Sequence, residues 1–393
     1  MDCIKPYLFL FLTFLAGSLN AATVYFKPTG TGSANGTSAA NAVGQAGVMA
    51  LASAGDLLIM CGTGFTSINV TKNGIKIFSA DSSGNTNKWS ASLTGSSGEH
   101  GIYTSTGVTG CEIWGVYIIS SYIDGIKFNG DTNTVRGCWI SGAGRPVGWS
   151  TNSNASFSGQ GLGFHGYNDI TIEENVFENN GAYLQYDHHL YGAGKRIKVR
   201  GNVFRNGIAW GLQAYDSVID NDQWEIAHNL IYGNGVPGVS ASGLTFWTLG
   251  NVTNYIYGNT IIAPAGHYGV IINQANTSAR LYFSNNIVEG DGAYGVLYAY
   301  GAGGTNSVKS DYNLLSSFVS GEPRGANDVA GSATFDSTAN GRYWLTTASA
   351  GRSMAAPAIC NPKDFFGRAQ STVSDVGAFQ YEASLEADSR DLT

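Results

Sequence analysis

The sequence predicts an all-β chain wound as a right-handed parallel β-helix, a solenoid with a short helical cap at its N-terminal end. Three observations carry that expectation: a repeat near 27 residues, an asparagine at a fixed place in each repeat, and short apolar segments parted by glycine-rich turns. Asn175, Asn202, Asn229, Asn259, Asn286 and Asn313 follow one another at intervals of 27, 27, 30, 27 and 27 residues. Each has the same surroundings, as in "ITIEENVFENN" from Ile170, "IKVRGNVFRNG" from Ile197, "WEIAHNLIYGN" from Trp224 and "RLYFSNNIVEG" from Arg280. A period in the twenties marks units that stack because none can bury its apolar side alone. Strands in such a stack lie ~4.8 Å apart, so asparagines one coil apart can bond amide to amide. The ladder reads as structural.

The elements follow in order. Lys5 precedes the apolar run "YLFLFLTFLAG", and small residues continue through Ala21 and Ala22, the pattern of a secretory signal over residues 1–22. That run is short for a membrane span and no later stretch is long enough, so a secreted monomer, periplasmic or extracellular, is expected. Residues 23–67 hold one helix near Ala42 to Ala52 and the buried strand "GDLLIMCG". The helix is expected to close the open end of the solenoid, where an unpaired edge would otherwise be exposed. Coils occupy 68–313, a region covering the far end 314–382, and a polar tail without fixed structure 383–393.

Composition supports one large core. The chain has 54 Gly, 8 Pro, 43% hydrophobic and only 12% charged residues, which argues for a turn-rich folded chain and against disorder. A net charge of −7 argues against nucleic acid as a partner. Of five cysteines, Cys3 leaves with the signal. Cys111 and Cys138, 27 residues apart, would extend the asparagine column by two coils. Packed thiols are favoured over a bond there, since side chains on adjacent parallel strands rarely meet the disulfide dihedral. Cys61 and Cys360 show no partner pattern, and no Cys/His spacing of a metal site occurs.

The opening "YFKPTGTGS", the "AGDLLIMCGTGF" segment, the repeated "NVF" and "NIV" coils and the closing "DVGAFQYE" resemble bacterial secreted parallel β-helix proteins of the pectate-lyase-like superfamily. The resemblance covers nearly all of the mature chain and implies the fold. It leaves the reaction open among lyases, hydrolases, epimerases and non-catalytic adhesins. Neither the aspartate triplets of polygalacturonases nor a clear calcium-and-arginine pattern of pectate lyases is present.

A second strand column aligns on a glycine followed by an apolar residue. The apolar members are Ile126, Leu162, Leu190, Leu212, Leu244, Val270 and Val296. If these point inward, alternation sends their neighbours to solvent: Tyr103, Lys127, Asn129, His165, His189, Tyr191, Gln213, Tyr215, Thr245 and Trp247. Such a face, rich in His, Tyr, Lys and Trp, suits a sugar polymer, because aromatic rings stack on the apolar faces of sugars. His189, Tyr191, Lys127 and His165 are the candidate catalytic residues; Tyr103, Asn129, Lys195, Arg196, Gln213, Tyr215 and Trp247 are the candidate substrate-binding residues.

The expected activity is cleavage of an acidic, uronate-containing polysaccharide by β-elimination. His189 would be the base, with His165 orienting it or sharing the role. Tyr191 would be the acid, and Lys127, Lys195 or Arg196 would neutralise the substrate carboxylate. Glu173 aligns with Arg200, Glu178 with Arg205 and Lys198 with Glu225, so those cations read as cross-coil partners. No cofactor is expected; Asp216, Asp220 and Asp222 offer oxygens for Ca²⁺, although aspartates in such turns more often serve the turn itself. Two rivals remain: a glycoside hydrolase using Asp124 and Asp187, and a non-catalytic glycan-binding or surface protein.

Overall fold

The structure is a computed structural model. It describes residues 21–378 except 97, 146–158, 183–186, 236–242, 291–296, 301–306, 318–322, 339–341 and 355–374. Residues 1–20 of the expected signal segment, Cys360, Val296 and the tail at 383–393 lie outside the described residues.

Short strands rich in Ile, Val, Phe and Tyr alternate with Gly- and Asn-bearing bends. The chain turns three times per coil, and each side of the coil joins a different sheet. Among the described residues these sheets have 12, 9 and 10 strands. One coil shows the plan: Leu190–Ala193 joins the 9-stranded sheet, Lys198–Arg200 the 12-stranded sheet and Val203–Arg205 the 10-stranded sheet. Each pairs in parallel with the strand one coil before and one coil after. The architecture is a parallel β-helix. Strand Leu57–Cys61 already belongs to the 12-stranded sheet, and Leu314–Leu315 and Val329–Ala330 still belong to the 10-stranded one. Helix Gln45–Leu51 has seven residues, and its one buried residue, Val48, packs in the core with Val24, Phe26 and Leu58.

Side chains alternate in and out along each strand, and the inward set forms one continuous core. Phe128, Phe164, Phe177, Phe204, Phe246 and Phe283 are fully buried. Phe177 and Phe204 stack at 4.8 Å between centroids, one coil apart. Stacking like on like lets each coil reuse its neighbour's packing, which is why the repeat tolerates little change of side-chain size at inward positions.

The asparagine ladder occupies the bend between the 12- and 10-stranded sheets. Asn175 donates both its backbone N–H (3.0 Å) and its side-chain amide (2.9 Å) to Asn202 Oδ1. The same pair of bonds recurs from Asn202 to Asn229, Asn229 to Asn259, Asn259 to Asn286 and Asn286 to Asn313. Each amide also donates to a carbonyl at the preceding level, as Asn229 does to Val199 at 2.9 Å. The last member, Asn313, donates to the buried carboxylate of Asp328 at 2.8 and 2.9 Å, so an acceptor with no proton to place ends the column. At the other end Asn175 Oδ1 receives the N–H of Cys138 at 2.9 Å.

Cys138 thus continues the column, but Cys111 does not. Register sets Glu112 opposite Thr134, which brings Cys111 beside Asn133 at a different bend. Cys61, Cys111 and Cys138 are free buried thiols, and burial pushes Cys138 up to about 12.

A second amide column explains His189, which alternation had sent to solvent. His189 is fully buried. It precedes strand Leu190–Ala193, at a bend, where strand alternation does not apply. Its Nδ1 accepts from the Asn180 amide at 3.0 Å, and its Nε2–H donates to Asn234 Oδ1 at 3.0 Å. Between those two asparagines the corresponding coil carries Gly207, where a Cβ would lie only 2.5 Å from His189 Nε2. The imidazole occupies the space that an asparagine would fill and links the amides on either side. Burial drives its pKa down to about 3. It is a neutral structural group, not a base on the surface.

The C-terminal region covers a flank. Strands Phe335–Ser337 and Arg342–Leu345 form an antiparallel pair. Tyr343 and Ala378 pack on Val203 and Leu230, and Leu345 and Val376 on Ile287 and Leu314, all on the outer face of the 10-stranded sheet. That sheet's outward positions include the apolar residues Val203, Leu230, Ile287 and Leu314.

Candidate active site

The outer face of the 9-stranded sheet carries most of the candidate residues. Ile102, Ile126, Leu162, Leu190, Leu212, Leu244 and Val270 are fully buried and in register, as the glycine column implies. The next coil departs from that alignment: Val270 pairs with Leu297, not Val296. One step along each strand, an outward row runs Tyr103, Lys127, Gly163, Tyr191, Gln213, Thr245. Thr245 belongs to the row but is only 3% exposed. A second outward row holds His165, paired in register with Ala193, and, further along the stack, Trp247, paired with Asn273. Tyr215, just beyond strand Leu212–Ala214, meets Trp247 edge to face at 4.5 Å. Asn129 is half-buried and spends its amide on the Thr104 carbonyl at 2.6 Å.

Gly163 breaks the row of side chains and opens a notch. Lys127 flanks it on one side and Tyr191 on the other, two coils or ~10 Å apart. A Cβ at Gly163 would lie 3.1 Å from Asp124 Oδ2 and 3.2 Å from Lys127 Nζ, so the ends of these two side chains reach over Gly163. Asp124 is buried. Its Oδ2 lies 3.7 Å from Lys127 Nζ and 3.4 Å from His100 Nδ1, and its Oδ1 accepts the Gln160 N–H at 2.9 Å. The pair holds the ammonium at the notch.

His165 stands at the edge of the same notch, half-buried, its ring 4.8 Å from that of Tyr191. Its Nδ1 is 2.9 Å from Asp216 Oδ2. A carboxylate there fixes the tautomer with the proton on Nδ1 and leaves the Nε2 lone pair outward. Burial, then the nearby Lys127 charge, lower the His165 pKa against the opposing pull of Asp216 and Asp124. Burial works against the Asp216 carboxylate, but the N–H groups of Val218 and Ile219 and the His165 ring outweigh it and hold its pKa low. Burial, with Asp216 and Tyr215 adding, raises the Tyr191 phenol to about 12. Near neutrality the cluster therefore offers a neutral imidazole and a protonated phenol, with the Lys127 side chain beside them, around a strand position that carries no side chain. Such a set can remove a proton, deliver one and stabilise negative charge.

Other sequence candidates lie elsewhere. Lys195 and Arg196 are exposed at the corner leading to the 12-stranded sheet, away from the notch. Arg196 is not free for substrate on this face: it grips Asp169 with two bonds of 2.7 Å. Glu178 and Arg205 pair at 3.0 Å as the alignment suggests. Arg200 stands in register with Glu173 but forms its ion pair with Glu225. Asp187 is fully buried and accepts the Ala182 N–H at 2.8 Å, so it does not flank the face. Asp216, Asp220 and Asp222 accept backbone N–H groups of separate segments, at Val218 and Ile219, Leu249 and Gly250, and Thr253. They do not converge, and among the described residues no group of three acidic, His or Cys side chains gathers around a cation position.

Asp216 is the partner that sequence reasoning missed. It lies 51 residues from His165, in the loop after the strand two coils along. Its only signal in the sequence is the aspartate of "YDSVIDND", which reads as a turn.

No family model matches the chain, and no curated protein sequence does. Solved structures do. Pectate lyase Pel9A superposes with a TM-score of 0.61 at 15% identity, over 92% of this chain and 96% of that one. The structure of XylC, solved in complex with xylose, superposes with a TM-score of 0.52 at 11% identity, over 83% of this chain and 65% of that one. The chain has the pectate-lyase-like parallel β-helix fold. At such identities the likeness concerns fold alone.

Proposed function

We propose that the protein is a secreted polysaccharide-degrading enzyme that cleaves an acidic, uronate-containing glycan by β-elimination. The observation that carries this reading is the His165–Asp216 pair at the edge of the Gly163 notch, between Lys127 and Tyr191. A uronate ring seated in the notch would bring its carboxylate to Lys127. His165 Nε2 would take the proton α to that carboxyl. As the double bond forms between the α and β carbons, the bond from the β carbon to the bridging oxygen breaks, and that oxygen takes a proton from Tyr191. Gln213 and the Tyr215–Trp247 pair, further along the stack, would hold neighbouring sugars, and Tyr103 those beyond Lys127. The fold shared with a pectate lyase and with XylC, solved in complex with xylose, supports a carbohydrate substrate.

A hydrolase fits less well. It needs one carboxyl kept protonated across the cleaved bond from a second. Asp216 is held ionised, and Asp187 is inside the core. A non-catalytic glycan binder would use the Tyr215–Trp247 pair equally well, and a turnover assay separates the two readings.

The test is incubation of the mature protein with pectate, alginate, glycosaminoglycans and neutral glycans. New absorbance from an unsaturated uronate supports the lyase reading. Reducing ends without that absorbance, or retention on intact polymer with neither signal, overturns it.

A further inference from the structure

The 9-stranded sheet, whose outer face holds the notch, is almost free of charge. Its strands run from Ile68–Val70 to Leu297–Tyr300, and Lys127 is the single Lys, Arg, Asp or Glu within them. Residues 97, 146–158, 183–186, 236–242 and 291–296, which lie between those strands and outside the described residues, contain no Lys or Arg. Cations at the sheet's corners have acids nearby: Arg145 feels the Asp187 side chain, and Arg196 is forked to Asp169.

Acid side chains bracket the notch. Exposed Glu99 bonds the hydroxyl of Tyr103, and Tyr103 is in register with Lys127, one coil away. On the other side the ionised Asp216 carboxylate lies behind His165, near enough to Tyr191 to help raise its phenol. Lys127 itself leans on the buried Asp124 at 3.7 Å. One cation thus stands among three acids, and it can answer one substrate carboxylate at most. Further along the stack, Gln213 and the Tyr215–Trp247 pair offer an amide and aromatic rings, the chemistry that holds uncharged sugars. A polymer made only of uronates brings a carboxylate at every sugar. With one of them at Lys127, those on either side meet Glu99 and Asp216, and like charges brought together reject a ligand.

We infer that the substrate is a heteropolysaccharide in which the cleaved uronate is flanked by neutral sugars, with Glu99 and Asp216 excluding runs of uronates. This rests on the proposed lyase reading for the bond that is cut; the exclusion itself acts at binding.

The experiment gives two kinds of polymer, at one salt concentration, to the mature wild type, Glu99→Lys and Glu174→Lys. Pectate and alginate are uronates throughout; hyaluronan and unsulfated chondroitin alternate a uronate with an uncharged sugar amide. Glu174→Lys makes the same change of charge at the exposed bend between the 12- and 10-stranded sheets. Unsaturated-uronate absorbance reads kcat/KM, retardation in native gels holding each polymer reads binding, and melting temperatures confirm fold. The expected wild-type kcat/KM is at least tenfold higher on an alternating polymer than on pectate or alginate. Glu99→Lys should narrow that gap at least fivefold, and Glu174→Lys should leave it in place. Equal or faster turnover of pectate or alginate by the wild type overturns the inference. So does a gap that Glu99→Lys leaves unchanged, or that Glu174→Lys narrows as much. If the wild type cleaves nothing, the lyase reading falls and retardation alone decides. Stronger retardation by an alternating polymer, shifted toward pectate in Glu99→Lys alone, leaves the specificity standing; equal or absent retardation overturns it.

Discussion

A missing side chain at position 163 opens the face between Lys127 and Tyr191, and His165 sits at its edge. Replacing His165 by Ala should lower turnover ~100-fold or more, as should Tyr191→Phe, with folding intact because both side chains are partly exposed. Gly163→Val should also remove activity, because a Cβ there already comes within 3.1 Å of Asp124 Oδ2 and 3.2 Å of Lys127 Nζ and would displace that pair. Wild-type activity in Gly163→Val would show that the notch is not where substrate sits. The pH profile follows from the same groups. The pKa of His165 lies below the ordinary histidine value of ~6.5, so its lone pair survives mild acid, and activity should fall only as pH drops through that lowered value. Tyr191 keeps its proton up to about 12, so the phenol sets no limit in the ordinary alkaline range. A pH series of kcat/KM checks both limbs.

At the scale of the elements, the bends hold the coils together. Asn229 gives and receives within one column, so Asn229→Leu takes the acceptor from the Asn202 backbone and side-chain N–H groups and removes one of the two bonds to Asn259 Oδ1, the backbone N–H keeping the other. Each buried group left unpaired costs about 1–3 kcal/mol, which urea unfolding would read directly. His189 belongs to this scale, not to catalysis. His189→Ala should destabilise by a similar amount, because Asn180 and Asn234 lose their common partner. A stable but inactive His189→Ala would contradict the structural role.

Across the whole molecule, two buried neutral histidines make stability depend on acid. His188 and His189 are each lowered to about 3 by burial, with the charge of His189 acting further on His188. In the unfolded chain both titrate near ~6.5. Between those values the unfolded state binds more protons, so stability is complete above ~6.5, declines as pH falls, and levels off below about 3. The slope reaches about 1.4 kcal/mol per pH unit for each histidine. Equilibrium unfolding at pH 7, 5 and 4 should show that decline, and His189→Asn should flatten it. A pH-independent wild type would contradict the burial of these rings.

The sequence by itself determined the coil, its stacking and the inward column from Ile126 to Val270. These depend on interactions repeated at every level, and a repeated interaction leaves a period. Asparagines spaced at 27 and glycine-apolar pairs are such traces, and they gave the outward rows of Lys127, His165, Tyr191 and Gln213 with them. The tertiary structure alone decided what happens once only. His189 stands at a bend, where alternation has no force, and its burial depends on Gly207 in the next coil leaving space. Asp216 reaches His165 from a loop two coils away, and Arg196 prefers Asp169 on its own corner. Cys111 leaves the asparagine column because its bend differs from that of Cys138. Each depends on a single contact between distant residues. A single contact has no period to betray it.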